Sequence, residues 1–317
     1  MNFTRRDFGK LALAAIPATT LLAAKPNSKW GGVQVGVNAP YSFNKMSGTA
    51  DKILEYMTRL NLSATELRLQ PVEAYLGAPG VYASGNDSPK PAPVLTPEQK
   101  TAAAADLTKW RSALSLDKLK AFRQKYEDAG VLIQILKVDN IGAFTDDMID
   151  YAFTAAKALG ANAISTEGKF SETKRLGAFA AKHKLMIGYH GHTDVTSNEA
   201  FGSPESWERA MEFSPYNGIN LDIGHFVAGN SKSPIEFMKK HHDKITHIHI
   251  KDKKMHEGPN TPFGQGDTPI VEVLQLMKKE KWTFQGTIEY EYATPADSDV
   301  LTEIGKCVEY CRKALES

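Results

Sequence analysis

Histidine, lysine and carboxylate residues follow short apolar segments in the second half of the chain. The clearest case is ITHIHIKD, Ile245–Asp252, which alternates as a β-strand with His247, His249 and Lys251 on one face. Two imidazoles and an ammonium on one strand face are costly to bury unless they bind a ligand or are fully hydrogen-bonded. The spacing therefore indicates a binding site.

Four further segments have the same two-residue period, and each places acidic or imidazole side chains on its inward face. These side chains are Glu167 of ANAISTE, His190 and His192 of LMIGYHGH, Asp222 and His225 of GINLDIGH, and Glu289 of FQGTIEYEY. Clustered carboxylates raise each other's pKa and lose solvation, so we expect a divalent cation among them. We predict the ligand set Glu167, Asp222, His249 and Glu289. Three carboxylates and one imidazole favour Mn²⁺ or Mg²⁺, with Co²⁺ or Zn²⁺ as alternatives.

Eight strands alternating with helices are needed to position these residues. The predicted strands are Val33–Asn38, Ala64–Leu69, Val131–Val138, Ala161–Glu167, Leu185–His190, Gly218–Ile223, Ile245–Ile250 and Phe284–Tyr292. The predicted helices are Ser47–Leu60, Leu116–Ala129, Asp146–Leu159, Ser171–His183, Pro204–Phe213, Pro234–His241, Pro269–Glu280 and Leu301–Leu315. This order predicts an α/β protein with a single (β/α)₈ TIM barrel, whose site lies at the carboxyl ends of the strands.

One interval interrupts the β/α order. Residues 77–97 are rich in Pro, Gly, Ser and Asn, and a helical pattern follows over Pro97–Ser112. Long loops in a compact domain are usually functional. Because this one follows the second strand, we predict that residues 77–112 form an insertion or lid over the barrel mouth.

The composition is that of an ordinary globular enzyme. The 317 residues are 42% hydrophobic and 24% charged, with a formal net charge of +1. No basic stripe is present, so a nucleic-acid partner is not expected. Cys307 and Cys311, four apart in a helical segment, indicate two small apolar residues and no disulfide framework. A homo-oligomer is compatible with the sequence.

The first residues resemble an export signal. Arg5 and Arg6 precede the apolar run LALAAIPATTLLAA, which is typical of a twin-arginine signal peptide. We predict a signal over residues 1–24 and a barrel over residues 30–317. The run is too short and too rich in Ala and Thr for a membrane span, so we expect a periplasmic or other extracytoplasmic protein without membrane contact after cleavage.

Several motifs resemble those of the xylose-isomerase-like sugar phosphate isomerase/epimerases, a family that includes inosose dehydratases and tagatose epimerases. They are NLDIGH, HIHIKD, IEYE and GYHGH, the last similar to the YHNH-type fifth strand of one branch. The resemblance covers residues 30–317 and implies that Asp222, His249 and Glu289 are metal ligands. Tagatose-epimerase-like members carry a glutamate where this chain has His190, so Glu167 is the predicted substitute for the fourth ligand.

These residues predict a metal-dependent isomerase or epimerase that acts on a sugar or keto-sugar through a metal-bound enediolate. The candidates for proton transfer are His190, His192, Glu289 and Lys251. The candidates for substrate contact are His225, Glu66, Arg68 and Lys137. His247 lies one layer deeper than His249 and is predicted to support a ligand.

Two other functions remain open at this point. A lyase or dehydratase of keto-sugars or inososes would use the same enediolate and expel a β-substituent, and a histidine in place of the fifth-strand glutamate suits protonation of a departing oxygen. An exported carbohydrate-binding barrel without catalysis would need no metal. An abasic-site nuclease is disfavoured, because a charge near zero offers no surface for phosphates.

Overall fold

The computed structural model describes residues 24–44, 46–80 and 95–317. Within these ranges eight parallel strands close into a barrel, because the first of them pairs with the last. A two-residue strand pairs antiparallel with the first barrel strand outside the ring. The strands are β1 Lys29–Trp30, β2 Val33–Ala39, β3 Ala64–Arg68, β4 Leu132–Lys137, β5 Ala163–Thr166, β6 Met186–His190, β7 Asn217–Asp222, β8 Ile245–Ile250 and β9 Gln285–Ile288. The predicted single TIM barrel is confirmed.

Helices surround the barrel and cover the outward faces of its strands. They are α1 Ala50–Arg59, α2 Leu69–Tyr75, α3 Pro97–Ala113, α4 Leu116–Asp128, α5 Asp146–Ala158, α6 Thr173–His183, α7 Pro204–Phe213, α8 Ile223–Asn230, α9 Ile235–His241, α10 Ile270–Glu280 and α11 Val300–Glu316. The main core lies between strands and helices, where outward residues such as Leu221 and Ile248 are fully buried. Burial of this apolar layer stabilises the ring.

Two helices, α2 and α8, were not predicted. Each begins at the residue after its strand ends, so no loop of Gly, Pro or Asn separates strand from helix. Both are short, with seven and eight residues, and offer little room for a 3.6-residue period. The α8 helix matters for the site because it starts directly from Asp222.

The last barrel strand is shorter than predicted. FQGTIEYEY was expected to stay extended to Tyr292, whereas β9 ends at Ile288. The next residue still follows the ladder for one bond, since the amide of Glu289 donates to the carbonyl of Ile250 at 3.0 Å. Glu289 therefore keeps the inward direction that the alternation predicted.

The described part of the insertion after β3 is the helix α3. Thr96 caps it, and a reciprocal bond with Gln99 completes a capping box. No side chain of α3 is buried, but Arg111 near its end forms two bonds, of 2.7 and 2.9 Å, to the buried carboxylate of Glu73 in α2. This bidentate pair ties the insertion to the barrel.

Two predictions fall partly on residues outside the described ranges. The signal peptide of residues 1–24 is described only at Ala24, and the lid of residues 77–112 lacks positions 81–94. Among the residues that are described, no helix combines the length and apolar character that a membrane crossing requires.

Candidate metal centre

Four buried side chains from four strands point at one place at the carboxyl end of the barrel. They are His190 at the end of β6, Asp222 at the end of β7, His249 in β8 and Glu289 just after β9, and one potential ligand atom from each lies within 4.8 Å of the others. The ring atoms His190 Nε2 and His249 Nδ1 have no hydrogen-bond partner among the described residues. Buried polar atoms without partners are rare in proteins and mark a place where a ligand is missing.

Asp222 is fixed by the junction of β7 and α8. It is the N-cap of α8, and its Oδ1 accepts a bond of 2.7 Å from the amide of His225. Gly224 makes the close approach to β8 that this turn requires, because a Cβ there would lie 2.7 Å from the carbonyl oxygen of Lys251. With Oδ1 held in this way, Oδ2 faces the centre.

Glu66 sets the orientation of His249. It lies in β3, is fully buried, and its Oε2 is 2.6 Å from His249 Nε2 and 3.3 Å from His247 Nε2. A carboxylate only accepts, so His249 Nε2 carries a proton and Nδ1 is the nitrogen that faces Glu289, at 3.4 Å from its Oε1. This is the arrangement in which a carboxylate behind a histidine fixes it as a metal ligand.

Glu167 lies just past β5 and holds two histidines. Its carboxylate is 3.1 Å from His190 Nδ1 and 2.6 Å from His192 Nε2, and it bonds the buried ammonium of Lys137. Because His190 Nδ1 is engaged by this carboxylate, His190 Nε2 is left to face Asp222, at 3.6 Å from its Oδ2. Glu167 is about one-third exposed and lies outside the group of four.

Lys251 bridges the carboxylates on the opposite side of the centre. Its Nζ lies 3.0 Å from Asp222 Oδ2, 2.7 Å from Glu289 Oε2 and 2.6 Å from Glu291 Oε2. It is also 2.9 Å from His225 Nε2, to which it donates. In the absence of a metal this ammonium neutralises the two carboxylates of the group.

The electrostatics of the group follow from burial and from these contacts. Burial alone would lower the pKa of His249, but the carboxylates of Glu66 and Glu289 raise it to about 10. Burial likewise favours the neutral form of Glu289, yet Lys251 and His249 hold its pKa well below the usual range. Burial lowers the pKa of His225 to about 4 against the pull of Asp222, so this ring is neutral near pH 7.

The residues predicted as substrate contacts occupy three different environments. Glu66 and Lys137 are buried and bond His249 and Glu167, so they hold site residues in place. His225 is half-buried beside Lys251. Arg68 is at the rim, with its guanidinium 5.3 Å from the centre of the Tyr41 ring and 3.3 Å from Asp139. Of these four residues, His225 and Arg68 therefore lie where a substrate could reach them.

Sequence reasoning missed two asparagines that support the group. Asn38 at the end of β2 donates to Glu289 Oε1 at 2.8 Å, and Asn220 in β7 donates to Ser165 at 3.0 Å and lies 3.3 Å from His249 Nε2. Both point inward by the same alternation that revealed the histidines. The signal was present, but only charged residues and imidazoles were sought with it.

The loop after β8 forms a wall beside the centre. Asp252 accepts bonds of 2.8 and 2.9 Å from the amides of Gly264 and Gly266. These glycine amides are thereby directed inward at a carboxylate. They do not form the open set of N–H groups that a phosphate site requires.

The donor set fits a divalent metal. Two ring nitrogens and two carboxylates converge in a buried space, where carboxylates are stable only beside a cation. Two nitrogens among four donors suit Mn²⁺, Co²⁺ or Zn²⁺ better than Mg²⁺, which prefers oxygen and water.

The barrel and this centre define the family. The model of the xylose isomerase-like TIM barrel matches residues 148–312, a little over half of the chain, and includes all four members of the group. The chain belongs to the xylose isomerase-like TIM barrel family.

Individual relatives are more distant. An inosose dehydratase of Clostridium botulinum (strain Eklund 17B / Type B) is 27% identical over 131 residues, which is 40% of this chain and 36% of that protein. The chain thus matches only about a third of the length of this curated relative. The fold also resembles two solved structures. The probable 3-DHS dehydratase AsbF of Bacillus anthracis has a TM-score of 0.59 at 12% identity, covering 88% of this chain and 99% of the other. A D-psicose 3-epimerase of Clostridium cellulolyticum H10, solved with D-tagatose, has a TM-score of 0.59 at 9% identity, covering 90% and 100%.

Proposed function

We propose that this protein is a divalent-metal-dependent lyase that acts on a neutral keto-sugar or inosose. It removes the proton next to the ketone and expels a substituent from the β-carbon. The observation that carries the proposal is the convergence of His190, Asp222, His249 and Glu289, with two unpartnered ring nitrogens, at the mouth of the barrel. The similarity to an inosose dehydratase supports elimination as the outcome.

The metal ligands in this proposal are His190, Asp222, His249 and Glu289. A divalent cation held there polarises the ketone and makes the neighbouring C–H more acidic. Glu167, predicted as a ligand from the sequence, instead orients His190 through Nδ1, and Glu66 orients His249 through Nε2.

His192 is the proposed base. Its Nε2 donates to the carboxylate of Glu167, so its Nδ1 is the nitrogen able to accept a proton. About half of the His192 side chain is exposed, so a substrate in the mouth can contact it. The C–H proton passes to this ring, and the electron pair of the C–H bond forms the new double bond as the β C–O bond breaks.

Lys251 is the proposed acid. It donates to carboxylates and to the neutral His225, and it lies across the centre from His192. The departing oxygen takes a proton from Lys251 and leaves as water or an alcohol. Arg68 at the rim would contact the part of the substrate that remains outside the centre.

Isomerisation or epimerisation is the second candidate. It is favoured by the placement of proton carriers on two sides of the centre, with the Glu167–His192 pair on one and Lys251 on the other. Inversion at a carbon requires this two-sided arrangement, and the first step is the same.

Incubation of keto-sugars and inososes with Mn²⁺-loaded protein in D₂O separates these outcomes. An unsaturated product supports the lyase, and deuterium at a retained carbon supports the isomerase or epimerase. His192→Ala should lower kcat about 100-fold or more, as loss of a general base does. The matched control is His183→Ala on the outer helix α6, which should leave kcat unchanged. If no substrate turns over and Glu289→Gln leaves sugar binding intact, the protein is a carbohydrate-binding barrel.

We also propose that the protein is exported by the twin-arginine route, on the strength of Arg5 and Arg6 before an apolar run. Replacing both arginines with lysine should keep the protein in the cytoplasm. Fractionation of cells measures this, and unchanged export of the double variant would contradict the proposal.

A further inference from the structure

The amino-terminal end of the barrel, opposite the metal centre, holds a second cavity. We call it the floor cavity; its volume is about 520 Å³. Its walls come from the first residues of β4, β5, β6, β8 and β9 and from the turns that precede β8 and β9. The volume is within the range of small-molecule sites in proteins.

Small inward residues make room for this cavity. Barrel interiors are usually filled by Val, Ile and Leu, but here the inward positions of β5, β6 and β7 carry Ala163, Gly188 and Gly218. A Cβ at Gly188 would lie 2.2 Å from Thr246 Oγ1, so a polar side chain takes the space that an apolar one normally fills. The floor is therefore both hollow and polar.

One buried atom in the cavity wall lacks a partner. Gln285 is 1% exposed, and its Nε2 donates to Thr287 Oγ1 at 2.7 Å. Its Oε1 has no hydrogen-bond donor among the residues that the structure describes. A buried amide oxygen needs an O–H or N–H group, and Gln285 lines the cavity from which such a group could come.

The chemistry of the wall selects an uncharged ligand. Its hydrogen-bonding groups are amides and hydroxyls, its apolar surface includes two aromatic rings, and its charged groups are confined to exposed positions at the rim. In order these are Gln134, Asn162, Thr246, Thr283 and Gln285; Trp282 and Phe284; and Asp243 and Lys281. Amides and hydroxyls can donate to and accept from hydroxyl groups, while aromatic faces pack against C–H surfaces.

We propose that the floor cavity binds a neutral monosaccharide or cyclitol, whose hydroxyl donates to Gln285 Oε1 and whose ring lies against Trp282 and Phe284. The site is separate from the metal centre. Between the two lies the buried layer of His247, which is 2.9 Å from Thr246 on the floor side and 3.3 Å from Glu66 on the upper side. Occupation of the floor needs no metal.

The test uses the full chain after treatment with EDTA, titrated by calorimetry with D-glucose and with myo-inositol. We expect one saturable site with a millimolar dissociation constant for one or both. Gln285→Leu, which removes the unpartnered oxygen at similar volume, should weaken this binding about tenfold or more. The matched control is Gln275→Leu on the surface of α10, where the glutamine bonds Ser317, and it should bind as the unaltered chain does.

A second variant keeps the test decisive if Gln285→Leu does not fold. Thr283→Phe places a large ring at the exposed rim of the cavity and should also abolish the binding. Binding that persists unchanged in the folded variants overturns the proposal, as does the absence of saturation for both probes. Crystals soaked in the sugar test the same site directly: sugar density beside Gln285 supports the proposal, and ordered water alone overturns it.

Discussion

The two ends of this barrel are built by the same alternation of inward residues, yet they hold opposite chemistry. At the carboxyl ends of the strands the inward residues are charged or imidazole groups, and two ring nitrogens there lack partners among the described residues. At the amino-terminal ends the inward residues are small or neutral, and the unpartnered atom is an amide oxygen of Gln285. The comparison indicates that the upper end requires a cation and that the floor requires only an uncharged hydrogen-bond donor.

The sharpest way to break this comparison is to remove a carboxylate from the upper group. Glu289→Gln should lower metal affinity and kcat/KM by more than about 100-fold, because even residues that only support metal ligands are worth 10–100-fold. Calorimetric titration with Mn²⁺ or Zn²⁺ and a turnover assay measure the two effects. Metal binding that survives this change would place the metal elsewhere.

The next largest effect concerns Glu66, which was predicted to contact substrate and is buried behind His249. Glu66→Gln should weaken metal binding about 10- to 100-fold, since the neutral amide no longer fixes the ring. Glu73→Gln is the matched control, because Glu73 is equally buried but bonds Arg111. It should lower thermal stability and leave metal affinity unchanged. An equal loss of metal binding in both variants would refute the specific role of Glu66.

The pH dependence of the upper group is a smaller effect with a definite sign. The carboxylates around His249 raise its pKa to about 10, so the ring is protonated near neutrality and a metal must displace that proton. Metal affinity should therefore rise up to about tenfold per pH unit between pH 6 and 8. Titration with Zn²⁺ at three pH values measures this, and an affinity independent of pH would contradict the assignment.

The same raised pKa affects the metal-free protein. Since the pKa of His249 is higher in the folded state than its ordinary value of 6.5, its contribution to stability is fully present below pH 6.5 and is lost as pH rises toward 10. Thermal melts of EDTA-treated protein should show a falling Tm over this interval, and bound metal should flatten the decline. A Tm that rises from pH 7 to 10 would be evidence against the Glu66–His249 pair.

The smallest effect is expected at the floor. Gln285→Leu should leave metal affinity and kcat/KM unchanged, and unfolding stability within about 1 kcal/mol, because it removes a buried acceptor that had no partner among the described residues. Calorimetry, the turnover assay and urea unfolding measure these quantities. A loss of metal binding in this variant would show that the two ends are not independent.

Strand periodicity predicted the barrel and most of the upper group. Asp222, His249 and Glu289 were assigned inward positions from the alternation alone, and the structure brings them together. The rule is reliable here because each residue lies within its strand or one residue beyond it, where the ladder still fixes the side-chain direction.

The rule could not choose between Glu167 and His190 as the fourth member of the group. Both follow the inward phase, but β5 ends at Thr166, so Glu167 lies where no ladder bond fixes its direction, while His190 is the last residue of β6. The tilt of each strand and the register shift between β7 and β8 also set how far each side chain reaches. These are properties of the closed barrel and cannot be derived from one strand at a time.

X-ray absorption at the metal edge, together with metal analysis of the purified protein, tests the central claim most directly. We expect one divalent metal per chain with two imidazole nitrogens and carboxylate oxygens as ligands, and a changed spectrum in His190→Ala but not in Glu167→Gln. A protein that takes up no metal, or one whose metal has only oxygen ligands, would contradict this claim.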